Sequence, residues 1–135
     1  MNKILTFGLL TLATVMLTAC SNEVDISKHI DPSKPMELVI RDKADSNGFL
    51  NPKLITLTPD DARFNQFIKW GTNNSADWES AIASYAPGDA KLIQGDFNLN
   101  YYSTGYIVVN YKDAEGKLNQ IKKEVNPDDF LFLLK

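Results

Sequence analysis

Residues 97–125 read FNLNYYSTGYIVVNYKDAEGKLNQIKKEV, and this stretch decides the fold. Together with Ile93 just ahead of it, Phe97, Leu99 and Tyr101 alternate with polar neighbours, as one strand with a single buried face would. Ile107, Val109 and Tyr111 repeat the period of two in the next strand. Asp113-Ala114-Glu115-Gly116 supplies a hairpin turn, with Gly116 free to take positive φ. Leu118 to Val125 forms a third strand whose Ile121 and Val125 share a face. Short turns between alternating strands predict an antiparallel meander.

Toward the N-terminus, Met36–Arg41 (MELVIR) predicts a strand with Leu38 and Ile40 on one face and Val39 on the other. Lys53–Leu57 predicts a second, with Leu54 and Thr56 opposed to Ile55 and Leu57. Thr58-Pro59-Asp60-Asp61 has helix-start chemistry: a capping threonine, a proline for the first turn and carboxylates at the positive end of the dipole. Ala62, Phe64, Phe67 and Ile68 follow near helical spacing, and Gly71 is placed to end the helix after Trp70. Trp78, Ala81, Ile82 and Tyr85 stand at i, i+3, i+4 and i+7, predicting a second short helix stopped by Pro87-Gly88. Asn126-Pro127-Asp128-Asp129 opens a final turn expected to bury Phe130, Leu131 and Leu134. The expected architecture is α+β: a small antiparallel sheet, the C-terminal three-strand meander plus one or two N-terminal strands, with two short helices on one face.

The chain opens differently. Lys3 is followed by the apolar run Ile4–Val15 (ILTFGLLTLATV), and Met16 leads into Leu17-Thr18-Ala19-Cys20. Ile4 to Ala19 offers sixteen residues, four of them threonine, against the roughly 20 apolar residues of a membrane-spanning helix. The pattern is that of a cleaved secretory leader. Leu17-Thr18-Ala19-Cys20 resembles the lipobox of bacterial lipoproteins, a small-residue cleavage site placed directly before a cysteine. The resemblance implies a diacylglyceryl group on the Cys20 sulfur, cleavage before Cys20 and acylation of the new amine. Ser21, where an aspartate would favour the inner membrane of a Gram-negative cell, implies sorting to the periplasmic face of the outer membrane.

Three segments follow from this reading: a signal peptide over 1–19, the lipidated Cys20 with a polar tether to residue 35, and one α+β domain over 36–135. Ser21–Pro35 (SNEVDISKHIDPSKP) reads as tether because Val24, Ile26 and Ile30 are its sizeable apolar residues. Its fifteen residues would reach at most about 50 Å. Of 14 Lys and Arg, Lys3 leaves with the leader; 13 remain against 17 Asp and Glu, a net charge of −4. With these charges interspersed, nothing points to nucleic acid or to electrostatic membrane binding. Cys20 is the one cysteine, so no disulfide framework is expected.

Catalytic patterns are sparse. The one histidine, His29, falls in the tether, away from any cysteine, histidine or carboxylate set suited to a metal or a triad. Asp42–Gly48 (DKADSNG) has a calcium-loop flavour; with Gly48 as sixth position, however, the first is Lys43 and the twelfth Leu54, where carboxylates are required. Asp60/Asp61 and Asp128/Asp129 are paired carboxylates, but adjacent helical residues do not face one another, and helix capping accounts for both pairs. No metal and no cofactor is expected. Among ten aromatics from Phe64 to Tyr111, Trp70, Tyr102 and Tyr106 fall off the apolar faces predicted for their elements, which makes them candidate partner-binding anchors.

The sequence thus predicts a non-catalytic, lipid-anchored envelope protein that binds another protein, as an inhibitor, a toxin-immunity protein or an assembly accessory. The alternatives are a small carboxylate-dependent hydrolase or sugar binder, and a purely structural lipoprotein. Cys20→Ser should leave an unprocessed precursor that takes up no fatty-acid label in growing cells. Normal processing and labelling of that variant would refute the lipobox reading.

Overall fold

The computed structural model describes residues 22–41, 46 and 51–135. The leader, Cys20 and, apart from Ser46, the Asp42–Gly48 loop lie outside the described residues. Among those described, seven strands form one sheet: β1 (Met36–Arg41), β2 (Pro52–Leu57), β3 (Glu79–Ser80), β4 (Ala90–Gln94), β5 (Phe97–Tyr102), β6 (Tyr106–Lys112) and β7 (Leu118–Glu124). Their spatial order is β2-β1-β4-β5-β6-β7-β3, and every pairing is antiparallel. The fold is α+β with a mostly sheet core.

The alternation within residues 97–125 produces the meander β5-β6-β7. Leu99 pairs with Val109 and Val109 with Ile121, so the apolar sets line up on one face. The Asp113 turn forms as its sequence predicts. The Asp113 carboxylate accepts from the backbone N–H of Glu115 and Lys117, and Gly116 has φ +80°. Ile93, however, does not continue β5. It belongs to β4, which folds back on β5 through Gly95-Asp96, with Gly95 at φ +56°. A two-residue hairpin loop needs positive φ at its first position, and glycine supplies it without strain.

Six strand spacings separate β2 from β3, about 29 Å across the sheet. The chain makes that crossing through α1 (Ala62–Asn73), which lays Phe64, Phe67 and Gly71 on the face carrying Leu38, Leu92, Leu99 and Val109. Asp61, rather than Thr58, is the N-cap: its side chain accepts from the Arg63 N–H at 2.8 Å, while Thr58–Asp61 is itself a turn. Gly71 does not end the helix. It lies inside α1 because a Cβ there would stand 3.0 Å from Ile26 Cγ1. Helix and N-terminal segment meet backbone to side chain at this point.

Residues 22–35 are therefore not a tether. Asn22 bridges Trp78, Val24 N–H donates to Ser75 O at 2.7 Å, and Ile26–His29 form a 3-10 helix capped by Asp25. Ile26 and Ile30 are fully in the core. Gln94 exchanges hydrogen bonds with the Asp31 backbone in both directions, fixing the approach to β1. The polar residues that made this segment read as a linker are its caps: Asp25 and Asp31 each accept from the backbone and hydroxyl of the serine two residues on. The domain boundary accordingly moves from residue 36 to Asn22 at the latest.

The second predicted helix is also replaced. Trp78 pairs with Asn22, Glu79–Ser80 pair with Lys122 and Ile121 on β7, and residues 81–89 run on without helical structure. Trp78 is fully buried, but Ile82, assigned by spacing to the same helical face, is fully exposed. Edge pairing satisfies these backbone groups, so four apolar residues at helical spacing do not impose a helix. The C-terminal turn does form, as the 3-10 helix Pro127–Leu133 capped by Asn126. It buries Phe130 and Leu133 and leaves Leu131 and Leu134 exposed, because three residues per turn bring i and i+3 onto one side.

Ile26→Ala should lower unfolding free energy by roughly 2–5 kcal/mol, the cost of emptying a packed site. A loss within about 0.5 kcal/mol in urea unfolding, as expected of a surface position, would return residues 22–35 to the role of linker.

Candidate functional site

The period of two that buries Tyr101 sends Tyr102 to the other face of the sheet, and the register places Tyr106 directly opposite it. Their rings stack at 4.3 Å with planes 12° apart. Tyr85 completes a trio at 6.4 Å from each ring, and Lys122 Nζ stands 4.6 Å above the Tyr106 ring. Such contacts contribute about 0.5–1.5 kcal/mol per aromatic pair and roughly 0.5–1 for an exposed cation over a ring.

A strap holds this cluster. From β3 at the edge to β4 in the interior, the chain must pass over β7, β6 and β5, and residues 81–89 do so on the face opposite α1. Ala81 N–H donates to Gln120 O, the Tyr102 hydroxyl donates to Ala86 O, and Asp89 N–H donates to Tyr101 O at 2.8 Å. The Asp89 carboxylate accepts from Ser103 N–H at 2.7 Å. Val108, on the same face, is buried although it stands apart from the main core. Gly88 lets the strap descend: a Cβ there would be 2.5 Å from Tyr101 O. Burial beneath the strap raises the Tyr102 phenol above its ordinary value, and neighbouring Tyr106 and Tyr85 add to the shift.

The three aromatics expected as anchors are thus separated. Tyr102 is a correction: only 8% of it is accessible, and its hydroxyl is used internally. Trp70 is on the opposite, α1 side, its ring edge-on to Phe130 at 4.7 Å. Phe130 in turn stacks on Tyr101 at 5.3 Å, so Trp70 belongs to the flank of the core. Tyr106 remains, half-buried at the rim of the strap. Tyr85 and Lys122 join it, and neither stood out in the sequence. For Lys122 the signal is register, since it pairs with Val108 beside Tyr106; Tyr85 lies on no strand and has no such signal.

One of the paired carboxylates serves the backbone. Asp61 caps α1 and is held below the usual carboxylate range by the Arg63 side chain and N–H. Asp128 and Asp129 lie in the first turn of the C-terminal 3-10 helix. Among the described residues, no three His, Cys, Asp or Glu side chains gather as a metal centre requires. No family profile, curated protein or solved structure matches the chain.

His29, assigned above to a solvated tether, stacks on Tyr111 at 4.0 Å. Burial lowers its imidazole below the usual value of about 6.5, with Asp25 and Asp113 opposing the shift. The charged form is thus less favoured folded than unfolded. Between the folded and unfolded pKa values the unfolded chain binds more protons, so stability falls as pH drops below about 6.5. His29→Phe keeps the stack and removes the proton. Its melting temperature relative to wild type should therefore rise as pH is lowered from neutral; a pH-independent difference would mean that His29 titrates alike in both states.

Proposed function

We propose that this chain is a cell-envelope lipoprotein, anchored through lipid on Cys20, whose domain works by binding another protein rather than by catalysis. Leu17-Thr18-Ala19-Cys20 supports the anchor, and Ser21 after the cysteine supports the periplasmic face of the outer membrane. The observation that carries the binding role is the Tyr106 rim. An aromatic ring braced from below by Tyr102 and crossed by Lys122 is held rigid yet stays half-accessible. Rigid amphipathic aromatics supply contact area at low entropic cost, which is why tyrosine is frequent at the centre of interfaces. Asp61, one of the carboxylates that a hydrolase would draft, is engaged as a helix cap, and Asp128 and Asp129 lie at the positive end of the C-terminal 3-10 helix, which favours binding over hydrolysis. The partner class is an envelope protein or a secreted toxin.

The test uses the native lipoprotein as bait in detergent-solubilised envelopes, with melting followed in parallel. Tyr106→Ala should keep its fold and weaken capture of a co-purifying protein by about 2 kcal/mol or more, near thirtyfold. Trp70→Ala should instead lose stability, by up to roughly 3–5 kcal/mol for a fully packed aromatic. Undiminished capture by folded Tyr106→Ala would remove Tyr106 from the binding surface.

A further inference from the structure

The two most accessible large apolar side chains among the described residues are Ile82, fully exposed, and Leu118, 69% exposed. They are neighbours. Both line an open groove of about 740 Å³ between the start of the strap, Ser80–Ser84, and the Lys117–Gln120 segment of β7. Two aliphatic side chains in water beside a lysine form an unpartnered surface, and such patches mark contact sites.

The position of Asn22, two residues after Cys20, says what meets this surface. Asn22 forms the outermost backbone pairing at the β3 edge, with N–H to O distances of 2.9 and 3.2 Å to Trp78. Its side-chain amide donates to Ser80 Oγ at 3.4 Å. The bridge is antiparallel, so the N-terminal side of Asn22 faces the direction in which β3 runs on through Ser80 to Ile82. One residue, Ser21, separates Asn22 from Cys20, which keeps the two Cα atoms within about 7 Å. A further two residues, again about 7 Å, take β3 from Ser80 to Ile82. A headgroup layer is itself about 7 Å deep on each side of the bilayer.

We propose that this edge, with Ile82 and Leu118 as its apolar contacts, is a membrane-docking surface that seats the domain in the lipid headgroup layer. The inference rests on lipidation of Cys20 as proposed above. Lipid on Cys20 holds the β3 edge at headgroup depth, where the two aliphatic side chains leave water. Lys117 can reach phosphates, but Glu79 is exposed on the same edge, so apolar insertion dominates over charge. The sheet then stands edge-on, with β2 and the exposed Leu54 farthest from the bilayer.

The experiment uses the full, processed lipoprotein reconstituted into phosphatidylethanolamine vesicles, with and without phosphatidylglycerol. Ile82→Cys, Leu118→Cys and the distal control Leu54→Cys each carry an environment-sensitive fluorophore. Lipid-borne quenchers should reduce emission at positions 82 and 118 roughly twofold or more, leave position 54 nearly unchanged, and act alike in both lipid mixtures. Flotation of wild type and of Cys20→Ser lacking residues 1–19 reports the anchor separately. If wild type floats, Cys20→Ser does not, and positions 82 and 118 behave like 54, the docking surface is refuted while the anchor stands. If wild type stays in solution, or Cys20→Ser floats equally, the anchor fails and the surface with it. Shielding of 82 and 118 from aqueous iodide in native envelopes, without quenching by lipid, would assign the groove to a protein and overturn the proposal.

Discussion

The pairing of Glu79–Ser80 with Lys122–Ile121 is the joint on which the rest of the molecule depends. A seven-stranded sheet has two faces, and both carry apolar side chains that must leave water. Each face has a cover, α1 on one and the strap on the other, and these two meet at β3. The chain arrives from β2 by way of α1, across the face holding Leu38, Leu92, Leu99 and Val109. It departs through residues 81–89, across the face holding Tyr102, Tyr106 and Val108. A strand of two residues suffices because it is held on both sides, by β7 inward and by Asn22 outward. Trp78 beside it is fully buried, its Nε1–H donating to Asn74 O at 3.2 Å, and Lys123 stands 5.5 Å over its ring. Burial lowers the Lys123 ammonium, which also donates to Ala76 O. These contacts lock the end of α1, the edge strand and the first described residue into one unit.

Polar chemistry is kept at the ends of elements. Among the described residues no polar or charged residue is fully buried; of the carboxylates that looked paired in the sequence, Asp61 caps α1, and Asp128 and Asp129 lie in the first turn of the C-terminal 3-10 helix. Two buried phenols keep partners: Tyr101 donates to Pro127 O at 3.2 Å and Tyr102 to Ala86 O. Each bond joins a strand to a covering segment, Tyr101 to the C-terminal 3-10 helix and Tyr102 to the strap. An unmet hydroxyl would cost about 1–3 kcal/mol, so these bonds also fix where the covers sit.

What was legible in the sequence was local and periodic. Alternation revealed the meander because one side of β5 and of β6 is uniformly buried and Ile121 continues that side on β7, and it placed Tyr102 and Tyr106 correctly off the core. Capping chemistry located both helical starts within a turn. Three features escaped for one reason: each depends on a distant partner. Residues 22–35 look polar on average, yet Ile26 and Ile30 reach the core, and Gly71, forty-five positions on from Ile26, makes room for Ile26. Trp78–Tyr85 has helical spacing, but Asn22 and β7 recruit its start into the sheet. Tyr102 looked free because the strap that covers it belongs to a segment assigned to that helix. A single side chain's parity can be read from its neighbours; what lies on top of it cannot.

Absorption of residues 22–35 into the fold changes the mechanical meaning of the proposed anchor. A fifteen-residue tether would let the domain range over tens of ångströms and turn freely, so any face could meet a partner. If Cys20 carries lipid as proposed, the single residue between it and Asn22 would restrict orientation and leave the β3 edge as the end nearest the lipid. The strap face with Tyr106 and Lys122, and the opposite face with α1, then both rise from the bilayer side by side. Neither is occluded by it. On that proposal a membrane-bound partner of Tyr106 would approach along the membrane surface, and confinement to that plane would raise its effective concentration. On this reading the short linkage supplies by geometry what a long tether would have to recover by search.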